Sequence, residues 1–176
     1  MSDVAALGAY PKTVVLTDGA HVELRLALPG DAPAIAALAR HGPPDLDDGP
    51  ADARDAGRAL TVVASNNARV VAEATLLRGH GGQARVASLA VHIDPDHQSR
   101  RLGTWMLLDC VHLAAALNIE LLAAPARRED APYLAALRRL DFVDDATLRE
   151  EYHVADGRAR GLVVLVKAVH RNWTDF

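Results

Sequence analysis

Residues 84–123 carry the pattern that most constrains the fold. A strand-like run at 84–93, ARVASLAVHI, is followed by a short polar loop, an amphipathic stretch at 101–117 and an apolar run at 119–123. The apolar residues of 101–117 recur at helical spacing, so this stretch predicts a helix. Two strands joined by such a helix are parallel neighbours, and the crossover between them is right-handed in almost every known sheet.

The remaining segments predict antiparallel pairing around this crossover. Turn residues such as Asp18 and Gly19 separate runs of alternating apolar and polar side chains, which is the pattern of hairpins. The predicted strands are 13–17, 21–28, 60–64, 69–77, 142–154 and 160–169, and the predicted helices run from Asp31 to about Arg40 and over 129–139. Residues 42–56, rich in Pro, Gly and Asp, predict a loop. The predicted fold class is a mixed α/β fold with a mostly antiparallel sheet, a central parallel pair and flanking helices.

Length and charge narrow the class of protein. At 176 residues the chain is about one domain long, and we expect residues 1–12 to be an N-terminal extension and residues 13–176 to be a single domain. The formal net charge is −4 and the isoelectric point is about 6.0, which argues against a nucleic-acid partner. Lys12 and Lys167 are the only lysines among 19 basic residues, a bias that indicates a GC-rich bacterial genome.

The cysteine content and the distribution of apolar residues indicate the cellular compartment of the protein. Cys110 is the only cysteine, so no disulfide forms within the chain, and this fits a reducing cytoplasm. The first 12 residues lack the basic start and the long apolar run of a signal peptide. No stretch is long and apolar enough to predict a membrane span. The eight histidines show no metal-ligand spacing, so we expect no metal site, and the sequence leaves a homodimer open.

The junction between the strand at 84–93 and the helix at 101–117 predicts a phosphate site. A helix N-terminus presents backbone N–H groups without partners and a partial positive charge, which together bind phosphate. Arg100 and Arg101 add positive charge at the same place. The candidate phosphate-binding residues are Gln98, Ser99, Arg100, Arg101, Leu102, Gly103 and Thr104.

The chain resembles the GNAT superfamily of N-acetyltransferases, whose signature is Gln/Arg-x-x-Gly-x-Gly/Ala between the fourth strand and the third helix. Gln98 and Gly103 match the first and last positions, and Arg101 stands where the middle Gly is expected. Residues 129–142 look like the family's later helix motif, with Asp130 at the Asn position. Residues 19–31 are especially similar to the opening of bacterial protein-lysine acetyltransferase domains, and the resemblance spans roughly 14–168.

The resemblance implies a twisted sheet that splays in the middle and binds acetyl-coenzyme A as cosubstrate in the splay. The pyrophosphate would take N–H bonds from residues 99–104, with Asp130 also at the cofactor site. The pantetheine arm would pair like an added strand with Leu89, Ala90 and Val91, where a backbone N–H holds the thioester carbonyl. The acceptor, a primary amine of a small molecule or a protein lysine, would attack directly in a ternary complex.

The catalytic base is left open between three residues. In lysine-acetylating relatives a Glu is expected in the fourth strand, and Ser88 occupies that position here. Glu73 in the middle of VVAEATLL and His92 on the same strand face as Ser88 are alternative bases. The Tyr acid of the family falls at Leu137, and Tyr133, one helical turn earlier, is the candidate to replace it.

Arg101 and Ser88 set the two competing functions apart. We expect a helical φ at Arg101, because the apolar stripe of its helix begins at the next residue, and its side chain would then pair with phosphate. A positive φ would instead let Arg101 fill the anion site. The sequence therefore predicts an active N-acetyltransferase, with weak activity because Ser88 replaces Glu; the alternative is a catalytically weakened domain of the same fold that binds acyl-coenzyme A or a partner for regulation.

Overall fold

The structure is a computed structural model and describes residues 9–39, 57–79, 81–145, 150–153 and 159–169. The predicted loop at 42–56 lies outside the described residues. The described strands are β1 (Lys12–Val15), β2 (His21–Leu26), β3 (Ala59–Asn66), β4 (Arg69–Arg78), β5 (Val86–Ile93), β6 (Leu121–Arg127), β7 (Val143–Asp144), β8 (Glu150–His153) and β9 (Ala159–Ala168). The described α-helices are α1 (Ala32–Ala39), α2 (Leu102–Ala116) and α3 (Ala131–Arg139).

The described strands form one mixed sheet in the order β1-β2-β3-β4-β5-β6-β9-β7, and β8 also pairs with β9. All pairings among these strands are antiparallel except that of β5 with β6. This confirms the predicted fold class. The predicted arm at 142–154 is shorter than expected, since β7 and β8 are separate strands that both pair with β9.

The predicted parallel crossover is confirmed. Val86, Ala87 and Ser88 pair in parallel with Leu121, Leu122 and Ala123, and α2 connects the two strands. The helix ends at Ala116, and Asn118 then has a φ of 57°, the left-handed conformation that commonly terminates helices.

The parallel pairing covers only the first part of each strand, and the strands then separate. Beyond Ser88, β5 pairs only with β4, and beyond Ala123, β6 pairs only with β9. The predicted strand 119–123 was too short, because β6 continues to Arg127 through Pro125. Proline has no backbone N–H to donate to a neighbouring strand. It therefore fits a strand that has one unpaired edge. The sheet is therefore open between β5 and β6 at the end that leads into α2.

The two faces of the sheet are covered differently. The main core packs α2 and α3 against the face that carries Ala74, Leu76 and Leu89. Residues Ile35, Leu38 and Ala39 of α1 are buried outside that core, and α1 packs against β4 and β5. We infer that α1 covers the opposite face, because strand side chains alternate between faces.

Candidate functional site

The loop between β5 and α2 is fixed at its start by Asp94. The Asp94 carboxylate accepts hydrogen bonds from the backbone N–H of Asp96 at 3.0 Å and from Arg69 at 2.6 Å. These donors lower the pKa of Asp94, the Asp96 N–H most strongly, so the carboxylate stays charged. The Gln98 side chain then donates to the carbonyl of Ile93 at 3.2 Å. The predicted phosphate loop is thus tied to the end of the strand that precedes it.

The backbone of this loop presents a row of unused donors. The N–H groups of residues 99–104 donate to no residue that the structure describes. Ser99 has a φ of 62° and Arg101 a φ of 66°, both in the left-handed region. Left-handed residues alternating with right-handed ones turn successive N–H groups toward one side, an arrangement that binds anions. The last three N–H groups also belong to the first turn of α2, where the helix dipole is positive.

The helical φ expected for Arg101 is wrong. Arg101 is the residue before the helix, which begins at Leu102, and its backbone is left-handed. The chain reverses direction between strand and helix within a few residues, and Ser99 and Arg101 make that reversal. A left-handed conformation costs a non-glycine residue roughly 1–2 kcal/mol, which explains why a Gly suits this position. The Arg101 side chain is exposed and pairs with no described residue.

Gly103 lets the helix approach the strand closely. A Cβ atom built on Gly103 would lie 3.0 Å from Cδ1 of Ile93, tighter than ordinary contact. Leu102, beside it, is buried in the core, whereas Thr104 is half-buried. A Cβ at 103 would require the Ile93 side chain to shift by a few tenths of an ångström. The close approach keeps the free N–H groups next to the gap between β5 and β6.

Arg100 is held by the turn between β1 and β2. Its guanidinium donates to Asp18 at 2.7 Å, and its carbonyl accepts from the Thr17 N–H at 3.3 Å. Asp18 also accepts from the backbone N–H of Ala20 at 3.0 Å, so one carboxylate joins its own turn to the loop. One Arg100 nitrogen is therefore already in use, and its other N–H groups remain for an anion.

Glu73 and His92, two alternative candidates for the base, are in contact. They face each other in the register of β4 and β5, and Nδ1 of His92 lies 2.5 Å from Oε1 of Glu73. The Glu73 side chain is only 3% exposed and that of His92 is 11% exposed. Glu73 is thus a buried strand residue, and α1 packs against the strand that carries it. Nε2 of His92 bonds to no described residue.

Ser88, the third candidate base, lies apart from this pair. It is exposed at the last parallel pairing position, opposite Ala123 in β6. It shares a strand face with His92 but is four residues away, about 13 Å along an extended strand. Leu89 is buried and Ala90 and Val91 are half-buried, and all three begin the segment of β5 whose β6 side is open.

Tyr133 has a buried hydroxyl that makes no hydrogen bond with any described residue. Burial raises the pKa of Tyr133, with smaller contributions from the nearby Cys110, Asp130 and Glu73. The phenol therefore stays protonated at neutral pH. Buried polar atoms normally have partners, so the Tyr133 hydroxyl is a donor that the described residues leave unused. Asp130 itself is the N-cap of α3 and accepts from the Tyr133 N–H at 3.1 Å.

Sequence reasoning missed a second buried carboxylate, Asp109 on α2. Its two oxygens accept from the Tyr10 hydroxyl and the Lys12 ammonium. Burial raises the pKa of Tyr10 and lowers the pKa of Lys12. A cleft of about 460 Å³ lies between β1 and α2, and Lys12, Trp105 and Asp109 line it. Asp109 lies seven residues after Leu102, on the apolar side of the helix. That position was the signal in the sequence that its side chain is buried.

The described residues include no group of three or more His, Cys, Asp or Glu side chains that could hold a metal ion. Cys110 is buried, and burial raises the pKa of its thiol to about 12, so it remains a protonated core residue. Among the described helices, none has the length and apolar character needed to cross a bilayer.

Comparison with known proteins identifies the fold. YncA from Salmonella typhimurium, solved with its cofactor acetyl-CoA, has a TM-score of 0.71 at 19% identity, covering 86% of this chain and 96% of that one. The GNAT domain of S. lividans PAT has a TM-score of 0.68 at 16% identity, covering 91% and 97%. The ribosomal-protein-S18-alanine N-acetyltransferase from Escherichia coli has a TM-score of 0.67 at 18% identity, covering 88% and 98%.

No protein-family model and no curated protein matches the sequence. The similarity to solved structures shows that the chain has the GNAT fold, as the resemblance in its sequence predicted. Several of the solved structures that share this fold are acetyltransferases.

Proposed function

We propose that this protein is an N-acetyltransferase that moves the acetyl group of acetyl-coenzyme A to a primary amine of a small molecule or a protein lysine. One observation carries the proposal: the open edge of β5 ends at a row of unused N–H groups over residues 99–104. An elongated ligand with an anionic group at one end and an extended arm fits both features. A solved structure of the same fold contains acetyl-CoA.

The chain's own groups fit such a ligand along its length. The N–H groups of 99–104 would bind the pyrophosphate, and Arg100 and Arg101 would add charge. Leu89, Ala90 and Val91 lie on the unpaired edge of β5, so their backbone groups would pair with the pantetheine arm as with another strand. Asp130, as the N-cap of α3, would hold the start of that helix next to the same gap.

Glu73 and His92 would supply the base together. With Nδ1–H bonded to the Glu73 carboxylate, Nε2 of His92 has its lone pair available for a proton of the attacking amine. The amine nitrogen forms the bond to the acetyl carbon as the bond from that carbon to sulfur breaks, and no acyl-enzyme forms. The protonated hydroxyl of Tyr133 would donate a hydrogen bond to the leaving sulfur.

Calorimetric titration with acetyl-coenzyme A, followed by thiol-release assays with small amines and lysine peptides, tests this function. Thr104→Pro removes one free N–H in the first helical turn, where proline is tolerated, and Thr104→Ala retains it. We expect the proline variant to bind roughly tenfold more weakly, the loss of one hydrogen bond to a charged group, and the alanine variant to bind like wild type. Absence of binding heat from the wild-type protein would refute the proposal.

A catalytically weakened acyl-coenzyme A-binding domain is the second candidate function. Ser88, at the expected base position, has no acidic group, and the left-handed Arg101 places a long cationic side chain beside the N–H row. Binding of acetyl-coenzyme A without thiol release from any amine would favour this alternative over the enzyme.

A further inference from the structure

Four polar side chains form a continuous line across three strands on one face of the sheet. Thr61 of β3 faces Thr75 of β4, and Glu73 of β4 faces His92 of β5. The hydroxyl oxygens of the two threonines are 2.8 Å apart, and Thr75 donates to Oε2 of Glu73 at 2.8 Å. Oε1 of Glu73 lies 2.5 Å from Nδ1 of His92.

The single hydrogen of each threonine hydroxyl fixes the direction of two of these hydrogen bonds. The Thr75 hydroxyl has one hydrogen, and it is donated to Glu73. The bond between the threonines must therefore use the Thr61 hydrogen, with the Thr75 oxygen as acceptor. The other Glu73 oxygen, Oε1, faces Nδ1 of His92 and accepts from it when the ring carries its proton on Nδ1. Hydrogen bonds aligned in one direction polarise and strengthen one another.

We infer that Thr75, supported by Thr61, is a positioning residue for the acetyl transfer proposed above. Thr75 holds one oxygen of Glu73, so that the other oxygen keeps the proton of His92 on Nδ1 and leaves Nε2 as the proton acceptor. The inference concerns the same site and rests on the proposed function. Its geometry comes from two pairs of facing residues, and the Glu73 side chain at the junction is almost completely buried.

Replacing Thr75 by Val or by Ser tests the effect of the hydroxyl separately from the effect of the side-chain shape. Thr75→Val keeps the branched side chain and removes the donor, which leaves a buried carboxylate oxygen without a partner. Thr75→Ser keeps the donor. Thr13→Val, at an exposed position on β1, is the matched control for the loss of a threonine hydroxyl from a strand.

The first measurement is the protonation pattern of the His92 ring, read from its ¹⁵N chemical shifts above neutral pH. A spectrum of His92→Gln identifies the His92 signals among the eight histidines. We expect Nδ1 to carry the proton in wild type, Thr75→Ser and Thr13→Val, and a mixture of tautomers in Thr75→Val. A wild-type ring protonated on Nε2, or an unchanged spectrum in Thr75→Val, would overturn the inference whether or not the protein is an enzyme.

The second measurement is the rate with acetyl-coenzyme A and an amine. We expect Thr75→Val to lower kcat roughly tenfold, the effect of one hydrogen bond to a charged group, with KM for acetyl-coenzyme A unchanged. Thr75→Ser restores the rate, and Thr61→Val lowers it about two- to threefold because it acts through Thr75. A Thr75→Val enzyme with wild-type kcat would contradict the inference, whereas inactivity of every variant and of wild type would refute the proposed function alone.

Discussion

Two buried carboxylates in this protein, Glu73 and Asp109, are partnered in different ways. Asp109 accepts from the cationic Lys12 and from the Tyr10 hydroxyl. Its charge is therefore neutralised, and both of its oxygens accept a hydrogen bond. Glu73 accepts from the neutral Thr75 and lies against Nδ1 of His92, whose second nitrogen bonds to no described residue.

We interpret this difference as one between a carboxylate that stabilises the fold and a carboxylate that takes part in the reaction. A buried carboxylate without a cation is costly, and the available countercharge beside Glu73 is an imidazolium formed when His92 takes a proton. The Asp109 cluster instead joins β1 to α2 and already contains a cation, the Lys12 ammonium. We therefore propose that Glu73 serves catalysis and Asp109 serves stability, and the following predictions test that division.

The largest effect is expected from removing the base. Glu73→Gln or His92→Ala should each lower kcat by about 10²-fold, the contribution of a positioned general base, while acetyl-coenzyme A still binds in calorimetry. Steady-state assays with Asp109→Asn as the control should show a rate close to wild type. Full activity in both single variants would remove Glu73 and His92 as candidates and return attention to Ser88.

The converse substitution should affect stability alone. Asp109→Ala leaves the half-buried Tyr10 and Lys12 without their acceptor, and we expect it to lower the free energy of unfolding by about 2 kcal/mol. Urea unfolding measures this loss, and Lys12→Met serves as a comparison that removes only the cation. A drop in kcat without a change in unfolding would contradict the structural role of Asp109.

The sequence predicted the parts of this protein that depend on local pattern. The crossover at 84–123 followed from periodicity, and the candidate phosphate loop followed from a polar loop before an amphipathic helix. Glu73 and His92 are 19 residues apart in the chain, and their contact depends on the register of β4 against β5, which local pattern does not determine. The left-handed φ of Arg101 was missed for a related reason, since the loop geometry is set by anchors at Asp94 and Asp18 outside it.

Asp31 provides a third carboxylate, paired with the Arg25 cation just before α1, and its contribution to stability should depend on pH. The paired hydrogen bonds from Arg25 lower the pKa of Asp31 to about 2. Because the folded pKa lies below the unfolded one, the stabilisation is present above about pH 4 and disappears as the pH falls towards 2.

Asp31→Asn should therefore be less stable than wild type by about 1 kcal/mol at pH 7 and equally stable near pH 2. Thermal unfolding at a series of pH values measures the difference between the two proteins. A constant difference across the acid range would show that the ion pair with Arg25 does not stabilise the fold.

The smallest effect is expected at Arg101, which touches neither carboxylate. Arg101→Gly removes the cost of a left-handed non-glycine residue, and we expect the free energy of unfolding to rise by about 1 kcal/mol or less. Acetyl-coenzyme A should bind about threefold more weakly, because one charge near the phosphates is lost. Tighter binding in this variant would mean that Arg101 occludes the anion site, and would favour the weakened-domain alternative.

The central claim is that the free N–H groups of residues 99–104 bind the pyrophosphate of acetyl-coenzyme A. Titration of ¹⁵N-labelled protein with acetyl-coenzyme A, observed by amide NMR, tests it most directly. We predict saturable shifts concentrated at residues 99–104 and at 89–91 on the open edge of β5, with the amides around Asp109 unmoved. Shifts confined to the cleft beside Trp105, or no shifts at any concentration, would contradict the claim.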